Sequence, residues 1–151
     1  MILLKSYFID TTEEVDVISI IHEINRTIRE AGVQDGLMTV AIPAPGGAVT
    51  VLEPLPDIVQ QFKEAIRVFP GEGMEVRNKR KEDISVSPRV TAAMIGKTLQ
   101  VPIGGGKLML GPREEVVLID IERNGRRREF CVQIMGEAAE AKEQKGQTRR
   151  K

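Results

Sequence analysis

Residue types that often carry chemistry are scarce in this chain of 151 residues. It has one cysteine, Cys131, one histidine, His22, and no tryptophan. A single cysteine excludes a disulfide within the chain, as is usual in a reducing compartment. With one histidine, a metal site would have to take its other ligands from carboxylates. Aromatic residues make up only 3% of the chain, so aliphatic side chains must fill the core.

The chain also lacks a charge excess and a long apolar run. Lysine and arginine number 22 against 22 acidic residues, so nothing global attracts nucleic acid or an acidic membrane. No run approaches the ~18 apolar residues of a membrane span, and the first ten residues lack a secretion signal. We therefore expect one cytoplasmic domain with no membrane partner.

The middle of the chain contains two apolar segments, residues 37–42 and 48–52, which predict buried strands. A corner rich in proline and glycine, Pro43 to Gly47, separates them. A corner between buried strands is a good place for a pocket. Yet it has no titratable, hydroxyl or thiol side chain, so composition and spacing alone leave the function open.

Further strands and helices follow from periodicity. Residues 2–10 and 13–18 predict strands, as do 99–103 and 107–110 around three glycines. A helix begins after Ser19, buries isoleucines at helical spacing and ends at Gly32. A second helix begins at Pro56 and ends near Pro70, with a buried stripe, and residues 89–95 predict a short third helix. His22 is interpreted as a surface histidine without chemistry.

The dipeptide Asn124-Gly125 predicts a hairpin over residues 116–135. That turn pairs Ile119 with Phe130 and places Asp120 opposite Glu129. The predicted buried face comprises Val117, Ile119, Ile121, Phe130, Val132 and Ile134. The three arginines 126–128 are interpreted as a solvated hairpin end.

Another basic cluster lies at residues 77–81, directly before Glu82 and Asp83. It permits a phosphate-binding loop, but a solvated connection explains it better because no aromatic residue is interleaved. Residues 138–151 are small and charged, so we expect a mobile tail after a single domain of residues 1–137.

Several short strings, in this order, resemble the YjbQ family, also described as secondary thiamine-phosphate synthases. They are A-G-V-Q-D-G at 31–36, Pro43 followed by A-V-T-V at 48–51 and Glu53, P-D-I at 56–58, A-A-M-I-G at 92–96, V-P-I at 101–103, L-M-L-G at 108–111 and V-Q-I-M-G-E at 132–137. The resemblance covers about nine tenths of the chain, leaving out the tail.

The resemblance implies an α+β fold with antiparallel, sandwich-like β-sheets and two main helices, assembled as a homotrimer. It also implies a polar pocket near a subunit interface. The activity it implies is a weak joining of a pyrimidine diphosphate to a thiazole phosphate.

The chain departs from the family at its polar motifs. The family has His-Thr-Thr after the proline, where this chain has Ala44, Pro45 and Gly46. Alternating histidines in the family give way to residues 85–89, Ser-Val-Ser-Pro-Arg, and Thr-Trp-Gln gives way to Pro112, Arg113 and Glu114. Alanine, serine and arginine neither bind metal nor relay protons as imidazole does. Of the pocket positions that align, only Glu53 keeps its type.

We therefore predict a divergent, trimeric member that has lost the family's chemistry and binds a small phosphorylated ligand through Arg89 and Arg113 near Glu53. No cofactor or metal is expected. One alternative is a residual thiamine-phosphate synthase with Glu53 as general acid or base. The other is nucleic-acid binding by the two basic clusters, which the zero net charge disfavours.

Overall fold

The structure, a computed structural model, describes residues 1–12, 14–68, 75–77, 79–122 and 124–138, without the side chains of residues 83–85. Three helices and ten strands lie within these ranges. In chain order they are β1 (Ile2–Asp10), β2 (Asp16–Ser19), α1 (Ile21–Ala31), β3 (Val33–Ala41), β4 (Gly47–Leu52), α2 (Pro56–Ile66), β5 (Glu75–Arg77), β6 (Asp83–Ser85), α3 (Pro88–Ile95), β7 (Thr98–Gly104), β8 (Lys107–Leu108), β9 (Glu115–Asp120) and β10 (Arg127–Ala138).

The strands form antiparallel sheets. A five-stranded sheet has the order β1-β10-β3-β7-β8, a three-stranded sheet has the order β2-β9-β4, and β5 pairs with β6 alone. Together with the helices, these sheets make the α+β fold that the sequence predicts. The third helix, α3, is short, as expected from residues 89–95.

The main core lies where α1, the five-stranded sheet and one face of the three-stranded sheet meet. Helix α1 buries Ile24 and Ile28 there and ends at Gly32 in the left-handed conformation. A second cluster covers the other face of the three-stranded sheet with residues from α2 and α3. Strand β9 is therefore buried on both faces, since Val116 and Leu118 belong to the first cluster and Val117 and Ile119 to the second.

The predicted hairpin over residues 116–135 is wrong. β9 pairs with β2 and β4, whereas β10 pairs with β1 and β3 in the other sheet. Asp120 consequently lies opposite Asp16 and Gly47 rather than opposite Glu129. The six residues of the predicted buried face are all buried. Periodicity identified the burial correctly, but β9, which is buried on both faces, pairs with β2 and β4 in a separate sheet.

Two smaller predictions need correction. The connection before α3 contains the paired strands β5 and β6, which no apolar alternation signals. Helix α2 buries only Ile66 fully, with Phe62 partly covered, so its predicted stripe is shallow. The predicted end of this helix near Pro70 lies outside the described residues. Residues 139–151 of the predicted tail lie outside them as well. β10 extends to Ala138, the first residue of that tail.

Two glycines face each other where β3 pairs with β10. Gly36 lies opposite Gly136, and a Cβ atom on Gly36 would overlap the carbonyl of Met135. A Cβ atom on Gly136 would overlap the carbonyl of Asp35. The strands approach too closely there for any side chain.

One face of the five-stranded sheet carries exposed apolar side chains. Ile2, Leu4 and Phe8 alternate along β1 and are 63%, 61% and 53% exposed, and Met135 lies beside Ile2 on β10. We call this surface the outer face. Apolar side chains in such a group commonly mark a contact surface.

Candidate functional site

The backbone of the corner, Pro43 to Gly47, is held by two cations from distant segments. Lys97 Nζ donates to the carbonyl of Ala44 at 2.5 Å, and Arg128 Nη1 donates to the carbonyl of Pro45 at 2.7 Å. Lys97 follows α3, and Arg128 is the second residue of β10. The corner therefore contacts two segments that are distant from it in the sequence.

A buried ion pair lies behind the corner. Arg128 Nε and Nη2 donate to the two carboxylate oxygens of Asp120 at 3.1 and 2.9 Å, and both side chains are fully buried. Thr11 Oγ1 and the Glu122 amide also donate to Asp120. Burial opposes ionisation of Asp120, but these hydrogen bonds and the charge of Arg128 outweigh it and lower its pKa. The prediction of a solvated end at residues 126–128 is thus wrong for Arg128, whose guanidinium group is paired with the buried carboxylate of Asp120.

A second carboxylate, Glu122, lies nearer the surface and collects the remaining arginines. Arg89 Nε lies 3.2 Å from its Oε1 atom, and Arg126 Nη2 lies 2.6 Å from its Oε2 atom. Glu122 is 9% exposed, whereas Arg89 is 67% exposed. The Oε2 atom is buried and accepts no well-aligned hydrogen bond despite the close Arg126, so this pair is mainly electrostatic. We call Arg89, Lys97, Asp120, Glu122, Arg126 and Arg128 the corner cluster.

Glycine at position 46 makes room for Glu122. Gly46 has φ +80°, and a Cβ atom there would overlap Cγ of Glu122. A residue with a side chain, such as the threonine of the family's string, could not coexist with this placement of Glu122. The absence of a side chain at position 46 therefore leaves the space that Glu122 occupies beside the corner.

The corner cluster carries a net positive charge, because its four cations, Arg89, Lys97, Arg126 and Arg128, face two carboxylates. Burial, followed by repulsion from Arg128, lowers the pKa of Lys97, and Glu122 opposes that shift. Arg89 is the most accessible of the paired cations. Such a cluster can hold an anion at its surface by charge-assisted hydrogen bonds.

The three predicted site residues do not meet within one chain. Arg89 binds Glu122, which lies two residues after the end of β9. Arg113 lies two residues before the start of that strand. Glu53 lies at that same far end, because Leu52 pairs with Glu115. β9 is about 17 Å long at a strand's rise per residue. Within the described part of the chain, neither Glu53 nor Arg113 has a side-chain partner, and their role stays a prediction.

Sequence reasoning missed Lys97, Asp120, Glu122 and Arg128 as members of the site. The only available signal was the run of charges interrupting the apolar segments around residues 120 and 128. His22 is exposed on the first turn of α1. Over the described ranges, no three His, Cys, Asp or Glu side chains group as metal ligands, and no helix there is long and apolar enough to cross a membrane.

Fold and site together define a small α+β protein with two packed antiparallel sheets and an ion-paired corner between them. The family model described as "UPF0047 protein YjbQ-like" matches residues 5–137. This chain therefore belongs to the YjbQ-like family. No curated protein matches it in sequence.

Solved structures give the same fold. A hypothetical protein from Aeropyrum pernix K1 superposes with a TM-score of 0.78 at 21% identity, covering 89% of this chain and 99% of that one. A YbjQ-like protein of unknown function from Sulfolobus solfataricus P2 gives 0.77 at 16%, covering 91% and 99%. A YjbQ/UPF0047-family protein from Clostridium acetobutylicum gives 0.73 at 24%, covering 87% and 99%.

Proposed function

We propose that this protein binds a small phosphorylated anion at the corner cluster and does not carry out imidazole-based chemistry there. One observation carries the proposal. The segments where the resemblance places histidines, around Ala44 and Arg89, converge on Glu122, and four cations surround two carboxylates there. A phosphate has up to two negative charges at neutral pH and matches this excess.

The ion pairs make the binding weak and give it a distinctive signature. A bound phosphate competes with Glu122 for Arg89 and Arg126, whose side chains are 67% and 39% exposed. Removing the negative charge of Glu122 therefore strengthens binding, whereas removing the charge of Arg89 weakens it. A merely structural cluster would not give opposite signs.

The test is calorimetric titration of inorganic phosphate and pyrophosphate into wild type, Arg89→Gln, Glu122→Gln and Arg113→Gln. We expect Arg89→Gln to lose about tenfold in affinity, equivalent to about 1.4 kcal/mol, and Glu122→Gln to gain. Arg113→Gln measures whether the other predicted arginine takes part. Equal affinities for wild type and Arg89→Gln would refute the proposal.

Residual thiamine-phosphate synthase activity is a second candidate, favoured by Glu53. Glu53 is half-buried, and its carboxylate has no partner among the described residues, so it is free to act as general acid or base. Thiamine-phosphate formation should then fall in Glu53→Gln and persist in Glu122→Gln. Absence of product from wild type would remove this candidate.

We also propose that the protein is a homotrimer, with the outer face at its subunit contact. The support is the group of exposed apolar side chains on this face, three on β1 and Met135 on β10. Sedimentation equilibrium should give three times the monomer mass for wild type and a lower mass for Leu4→Glu. A monomeric wild-type protein would contradict the proposal.

A further inference from the structure

An open groove of about 470 Å³ lies between α1, the β7–β8 hairpin and the loop that leads into β9. Its volume is in the range of small-molecule sites. It lies by the start of β9, whereas the corner cluster gathers around the end of that strand. The groove is therefore separate from the site of the proposed function.

The two ends of the groove differ in charge. Arg29, in the last turn of α1, and Lys107, at the start of β8, line one end. The amide of Gly106 donates to the carbonyl of Gln34, just beyond α1, which places Lys107 near that end of the helix. The opposite end, where Ile20 donates to the carbonyl of Val116, contains Ile21 and Glu114.

The cations at the first end are available for a ligand. The side chains of Arg29 and Lys107 are exposed and make no hydrogen bond or salt bridge within the described ranges. The acid beside Arg29, Glu30, is bound by Lys5 instead. These two cations therefore offer charge-assisted hydrogen bonds to a phosphate or carboxylate.

The middle and far end offer different contacts. Ile21, Asn25 and Arg29 lie at intervals of four residues on one face of α1, spanning about 12 Å, and Leu108 and Leu110 provide apolar surface opposite. Glu114 is held in place at the far end by the amide of Gly111, which donates to its Oε1 atom at 2.7 Å. Its other oxygen remains an acceptor for a ligand N–H or O–H group.

We propose that this groove binds an elongated organic anion. The anionic head lies at Arg29 and Lys107, the apolar body lies on Ile21, Leu108 and Leu110, and a donor group at the other end binds Glu114. Phosphate and carboxylate heads share the required chemistry.

The experiment follows backbone amide signals of the full chain by NMR during titration with p-aminophenyl phosphate, p-aminobenzoate, phenyl phosphate and aniline. We expect the p-amino anions to shift the signals of Gly106, Lys107, Gly111 and Glu114, and aniline to leave them unchanged. The two p-amino anions show which head is preferred. Absence of shifts at these amides with every anion overturns the proposal.

Variants assign the two ends. Arg29→Gln should weaken both p-amino anions about tenfold, while Glu114→Gln should bring p-aminophenyl phosphate down to the affinity of phenyl phosphate. Arg113→Gln is the matched control, because it removes a neighbouring cation that does not line the groove. Arg89→Gln should also leave these shifts unchanged, which separates this site from the corner cluster. Unchanged binding in Arg29→Gln contradicts the proposal.

Discussion

In the corner cluster every guanidinium group has a carboxylate oxygen within 3.2 Å, whereas in the groove Arg29 and Lys107 contact no carboxylate among the described residues. Both regions contain arginine, lysine and acid. They differ in whether the chain supplies its own counter-charges. Where it does, the charges stabilise the fold and admit a ligand only by competition. Where it does not, the cations are ready for a ligand but add little to stability.

Removing Asp120 should break the corner most severely. Asp120→Asn leaves the buried Arg128 with Glu122, whose Oε2 atom lies 3.7 Å from Nη2, in place of its hydrogen-bonded carboxylate, which costs about 3 kcal/mol. Urea unfolding measures the loss. Glu64→Gln, which removes one partner of the exposed pair with Arg67, should change stability by less than about 1 kcal/mol. A similar small loss in Asp120→Asn would mean that the buried pair is not what secures the corner.

Replacing one glycine in each region should lower stability by different amounts. Gly46, in the corner, and Gly105, in the hairpin beside the groove, both have positive φ angles. A Cβ atom at Gly105 meets nothing within 4 Å, whereas one at Gly46 overlaps Glu122. Gly105→Ala should therefore cost about 1 kcal/mol from backbone strain, and Gly46→Ala about 2–3 kcal/mol because overpacking adds to it.

The double variant Gly46→Ala, Glu122→Ala isolates the overlap. Its loss of stability should be smaller than the sum of the two single losses, because the second change removes the clash. Strict additivity would show that Gly46 is needed for its backbone conformation alone. Thermal or urea unfolding of the four proteins supplies the cycle.

Acid should weaken the corner in a defined direction. The pKa of Asp120 in the folded protein lies below its ordinary value of 3.8, so its stabilisation is complete above pH 3.8. It is lost as the pH falls through the lower folded-state pKa. The free energy of unfolding should therefore fall less steeply with acid in Asp120→Asn than in wild type, as urea titrations across this range can measure. Parallel pH curves would contradict the assignment.

The sequence predicted the structure well where the conformation of a residue depends on residues close to it in the chain. The isoleucine spacing and Gly32 determined α1, and the apolar runs correctly gave the buried residues of β9 and β10. Pairing was harder, because Asn124-Gly125 is a local signal and the partners of β9 lie on β2 and β4. The site was hardest. Glu53, Arg89 and Arg113 came from matching motif positions, whereas Asp120, Glu122 and Arg128 become neighbours only after the chain passes from one sheet to the other.

The facing glycines of β3 and β10 help to explain why the sequence of this chain still matches its family. Gly36 and Gly136 end or interrupt two of the strings, A-G-V-Q-D-G and V-Q-I-M-G-E, that carry the resemblance to the family. Any substitution at either position would push two neighbouring backbones apart, whatever the protein binds or catalyses. These two glycines are therefore required by the close approach of the strands and not by any activity. A match to the family at such positions indicates a shared fold, but it gives no information about shared chemistry.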